Sequence, residues 1–145
     1  MKPAVEQVLA GLAGTIGAEV IPAIAEPYAA GHAGAAAMLG IFVAQDYDRA
    51  GENHALSIQE MQALFRAAAS RLGADLGARL TALAEEPLAG FRVGALAAQR
   101  ARMQEAMIAL HEAVEAMGAR DLERDCLALL ARDAHRRALF IPPMG

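Results

Sequence analysis

The sequence predicts an all-α protein, an antiparallel up-and-down bundle of four to five helices forming a single domain over residues 1–145. Three observations carry this. Ala, the residue that loses least entropy in a helix, is the commonest of the 145 residues and supplies much of the 56% hydrophobic content. β-branched residues are sparse and never alternate with polar ones, so no segment reads as a strand. Apolar residues instead recur at steps of three and four, the period of an amphipathic helix.

Along the chain, Pro3 suits a first helical turn. Val5, Val8, Leu9, Leu12, Ile16 and Val20 follow as one apolar stripe, expected to face a core. Pro22 and Pro27 should end or kink that helix, since each lacks a donor and crowds the preceding turn. A second helix is expected from about Gly31 to Ala50, its run of small residues, 33–37, allowing close backbone approach. Gly51 reads as a cap or break, and Ser57-Ile58-Gln59-Glu60 as a capping box opening a third helix. That helix turns Ile58, Met61, Phe65, Leu72 and Leu76 inward, bends or frays at Gly73 and Gly77, and stops before Pro87.

The fourth helix is the most regular. Val93, Leu96, Arg100, Met103, Met107, Leu110, Val114 and Met117 make a heptad seam in which Arg100 is the one charged member, and Gly118 closes it. A fifth helix runs from Arg120 with Leu122, Cys126, Leu129, Leu130 and Phe140 inward, and Pro142 and Pro143 stop it. Short connections favour antiparallel neighbours.

Composition excludes several functions. The net charge of −4 argues against nucleic acid, whose backbone demands a basic stripe. All but Lys2 of the 13 basic residues are Arg, and acids interleave with them, as Asp121, Glu123, Asp125 and Asp133 do between Arg120 and Arg137. One cysteine allows no internal disulfide and fits a cytoplasmic, reducing compartment; Cys126 reads as a small core residue. Lys2 with the apolar run from Val8 to Ile24 imitates an export signal, but Glu6 and Glu19 interrupt it and Gly11, Gly14 and Gly17 weaken it. The uncharged stretch from Pro27 to Gln45 approaches spanning length. It is mostly Ala and Gly and holds His32, so it is read as a core helix of a soluble protein, with no membrane partner.

Chemistry has three places to lie. Ala35, Leu39, Phe42, Asp46, Arg49 and Asn53 share one face of the second helix, which draws Asp46 toward a core. Asp133 is four residues beyond Leu129 on the inward face of the fifth helix. A buried Arg100 needs a carboxylate, so it is expected to pair with Asp46, Asp133 or both. This reads either as an ion pair fixing helix register or as an anion-recognising pocket.

For a metal, none of His32, His54, His111 or His135 follows a Glu by three residues, and no His pair is spaced by four. His111 with Glu115 reads as a helical charge pair, and no metal or other cofactor is expected. The polar run from Gln45 to His54, which includes Tyr47, reads as a solvated helix end. The function expected is therefore non-enzymatic, acting through contacts with a protein partner or through self-association, as a homodimer. The alternative is a small-anion-binding or enzymatic bundle whose interhelical site holds Asp46, Arg100 and Asp133, with Tyr47 or His111 beside them.

Overall fold

The computed structural model describes residues 3–140, and among them the only regular secondary structure is helical. Helix α1 (Val5–Thr15) widens into a π-helical turn (Ile16–Val20) and ends in one α-helical turn, α2 (Ile21–Ala23). The π turn has a local cause. Pro22 has no N–H for the carbonyl of Ala18 four residues back, and its ring would crowd that group in an ordinary α-helix. At Ile24 the chain is extended, with φ −88° and ψ 112°. The Glu26 carboxylate then accepts the backbone N–H of Tyr28 at 3.0 Å and that of Ala29, so it caps the helix that Pro27 opens.

That helix, α3, runs unbroken from Pro27 to Ala69. The expected boundary between a second and a third helix is not there. Gly51 is no cap, since the positive-φ residues among those described are Gly90 and Gly118. The apparent capping box is spent on tertiary contacts: the Ser57 hydroxyl donates to Asp133, and Glu60 accepts Arg136 at 2.7 and 3.1 Å. By length and composition α3 is also apolar enough to cross a membrane.

After a turn over residues 70–73, α4 (Ala74–Glu85) begins, so the weakness at Gly73 becomes a full break. Helices α5 (Val93–Met117) and α6 (Arg120–Arg136) follow. Gly118 joins them at φ 65°, the left-handed conformation that glycine adopts at least cost. α6 ends at Arg136; Pro142 and Pro143, expected to stop it, lie outside the described residues. Gln99, fully buried, holds the connection ahead of α5 by donating to the Pro87 carbonyl and accepting from Ala89 N–H, both at 2.9 Å.

The chain divides into two compact units, one formed by Met1–Ala50 with Leu139–Gly145 and one by Gly51–Ala138. The second holds the hydrophobic core: Ile58, Met61 and Phe65 from α3, Leu80 and Ala84 from α4, Leu96, Met103, Met107, Leu110 and Val114 from α5, and Leu122, Cys126 and Leu129 from α6. The α5 seam is buried through its middle, while Val93 and Met117 at its ends are exposed, as are Leu130 and Phe140, which were expected inward.

In the first unit the small residues are inside. Ala13, Ala37 and Ala44 are buried, and a Cβ on Gly40 would lie 3.7 Å from that of Ala13. Val5, Val8, Leu12 and Val20 of the first stripe are exposed, as are Leu39 and Val43 of the stretch read as a core helix. Gln45 clamps Phe140 by donating to its carbonyl at 2.9 Å and accepting its N–H at 2.8 Å.

Two glycines test this account. A Cβ on Gly77 would come within 2.6 Å of the Ala69 carbonyl oxygen, whereas one on Gly51 would meet nothing within 4 Å. Gly51→Ala should therefore stabilise the protein by up to about 1 kcal/mol, as alanine does inside a helix. Gly77→Ala should lower stability despite the same gain in propensity. Urea unfolding measures both, and a destabilised Gly51→Ala protein would show that α3 is broken there.

Candidate functional site

In the second unit, the later part of α3 with α5 and α6 lines an open-sided pocket of about 380 Å³. α3 contributes Ser57 and Met61, α5 contributes Arg100, Gln104, Met107, Ile108, His111 and Glu112, and α6 contributes Leu129, Leu130 and Asp133. The volume lies within the range of small-molecule sites, and the walls are mainly apolar with a few grouped polar side chains.

The polar end is built around Asp133. Its Oδ2 accepts Arg100 Nη2 at 2.8 Å, and its Oδ1 accepts the Ser57 hydroxyl. Arg136 Nη2 stands 3.6 Å from Oδ1 and Arg137 Nε 3.5 Å from Oδ2. Burial would raise the Asp133 pKa, but the Ser57 hydrogen bond and the Arg100 guanidinium outweigh it and hold the carboxyl below its ordinary range. The Glu60 hydrogen bonds in turn push the Arg136 pKa up, and Arg132 Nε lies 3.7 Å from Glu60. Four guanidinium groups thus share two carboxylates, which leaves local positive charge in excess.

Arg100 is 8% exposed, and its Nε is buried without a hydrogen-bond partner. At the other end of the pocket His111 has Nδ1 3.9 Å from Glu115, and its buried Nε2 likewise has none. A buried donor left unmatched, such as Arg100 Nε, costs about 1–3 kcal/mol, and Arg136 Nε, away from the pocket, is left in the same state.

Of the five residues expected at a site, the structure brings together Arg100, Asp133 and His111. Asp46 and Tyr47 belong to the first unit and are exposed, so Asp46 is not drawn into a core. Sequence reasoning missed Ser57, which it had assigned to a cap, and the Glu60–Arg136 pair. The only signal for Ser57 was the inward phase it shares with Met61, four residues on.

The Ser57 proton is committed to Asp133, a carboxylate too weakly basic to activate it. Cys126 is fully buried, and burial pushes its thiol pKa up, away from the thiolate. No group of three metal-ligating side chains occurs among the described residues. Compared with protein-family models, with curated proteins and with solved structures, the chain finds no match in any of the three.

The folded pKa of Asp133 lies below that of the unfolded chain, about 4 for an aspartate. Its stabilising contribution is complete above that unfolded value and is lost as pH falls through the lower folded one. Asp133→Asn strands a buried guanidinium and should cost about 3 kcal/mol at pH 7. Below about pH 4 the gap between wild type and variant should narrow. Urea midpoints from pH 7 to pH 2 measure this, and a pH-independent gap would contradict the ion pair.

Proposed function

We propose that this chain is a soluble, cytoplasmic, non-enzymatic helical protein that holds a small, largely apolar molecule between α3, α5 and α6. The observation that carries this is the pocket itself: about 380 Å³ of space, open on one side to solvent and mainly apolar in its walls, beside the charged interruption of the α5 seam. The polar groups at its end are engaged with one another, which favours recognition over proton transfer. In this reading the second unit is an up-and-down arrangement with antiparallel neighbours, in keeping with the two-residue connection between α5 and α6.

A second reading, self-association as a homodimer or docking to a protein partner, is favoured by the first unit. Leu39, Val43 and Tyr47 follow one another at steps of four on α3, and all are more than half exposed. Concentration-dependent mass tests it: a strict monomer over the micromolar range would remove it.

The pocket is tested with N-phenyl-1-naphthylamine, a neutral apolar dye that fluoresces when it leaves water. Wild type should bind it at micromolar concentration. Ile108→Trp and Leu130→Trp change exposed residues on the pocket wall and should weaken binding at least tenfold without altering the circular dichroism. Absence of binding, or equal binding by wild type and both variants, would rule the pocket out as a ligand site.

A further inference from the structure

We infer that the molecule held in this pocket is a medium-chain aliphatic monocarboxylate, with its head at Arg100 and its tail along Met107, Ile108 and Leu130. This rests on the pocket reading above and adds the chemical class of the ligand. The pocket's length comes from α5. Arg100 and His111 both line it, and eleven residues at the rise of an α-helix separate them by about 16 Å, room for an extended chain of about ten carbons. Between those ends Met107, Ile108, Leu129 and Leu130 make most of the wall, with Gln104 among them, and methionine's unbranched side chain adapts to a flexible tail.

The head group follows from the charge. Arg100 is more than nine-tenths buried, bonds Asp133 through one terminal nitrogen, and keeps an unmatched Nε. A guanidinium is a planar fork suited to a carboxylate, and one edge of this fork is already used. Around it Arg132, Arg136 and Arg137 with Glu60 and Asp133 leave the cluster short of negative charge. A single carboxylate, held where Arg100 lines the pocket, supplies that charge. The mainly apolar wall beyond that end, rather than the charge count, favours a carboxylate with an aliphatic chain over a phosphate, whose remaining oxygens would need further donors.

Displacement of N-phenyl-1-naphthylamine from the full-length protein at pH 7 by decanoate, 1-decanol and butyrate tests this. Decanoate should displace the dye at a concentration at least tenfold below that of decanol, and butyrate should be ineffective. Arg100→Gln should bring decanoate down to the level of decanol while dye binding persists. Should that variant fail to fold, Arg137→Gln, a partly exposed change, should weaken decanoate severalfold and leave decanol alone.

Equal displacement by decanol and decanoate, or an unchanged preference in the folded variants, would overturn the carboxylate while leaving the pocket intact. Displacement by butyrate as effective as by decanoate would overturn the chain length. A protein that binds neither dye nor decanoate would remove both the pocket reading and this inference.

Discussion

A carboxylate taken out of water must be surrounded by donors, and the second unit is organised around meeting that demand at Asp133. Desolvating an ion costs several kcal/mol, which the attraction of one counter-ion recovers only with good geometry and further hydrogen bonds. Here the hydrogen bonds come from two other helices, Ser57 on α3 and Arg100 on α5, while Arg136 and Arg137, three and four residues beyond Asp133, stand 3.6 and 3.5 Å from its oxygens as further counter-charges. Sliding any of the three helices by one residue would turn its partner away, so the network fixes a register that the surrounding Leu, Met and Ala contacts do not specify. Hydrophobic burial drives these helices together, and Asp133 selects the alignment in which they meet.

The regular helices were legible because their signals were local and redundant. α5 announced itself by a seam with Arg100 as its one charged member, and Gly118, expected to close it, does so in the left-handed conformation. Arg100 and Asp133 could be matched from phase alone, since each followed apolar residues that are buried in the structure. The same reasoning failed for Asp46. It assumed that Leu39, in phase with it, faced a core, and Leu39 is 62% exposed. Phase tells which residues share a face but not which face is covered.

Ser57 and Glu60 failed for a different reason. A capping box and a tertiary polar network use the same side chains, and a sequence shows the local partner while concealing the distant one. With Asp133 and Arg136 available, the box lost its occupants and Gly51 had no helix end to serve, so α3 continued through both. In the first unit the inversion goes further. Alanine and glycine line the contact between α1 and α3, where the lack of bulk lets backbones approach, and Val8, Leu12, Leu39 and Val43 are left outside. Hydrophobicity scales rank valine and leucine above alanine as core residues, so a helix pair that packs through its smallest residues is read inside out.

The structural and the recognising roles of the Arg100–Asp133 pair are compatible, because they use different atoms. Register needs Asp133 saturated, and both of its oxygens accept hydrogen bonds. Recognition needs Arg100 unsaturated, and its Nε has no partner. Arg136 Nε is buried without a partner as well and lies off the pocket, so an unmatched donor also occurs in a structural pair; what sets Arg100 apart is that it lines an open-sided, mainly apolar space. On the proposed reading, the charged break in the α5 seam serves both the helix register and the molecule bound beside it.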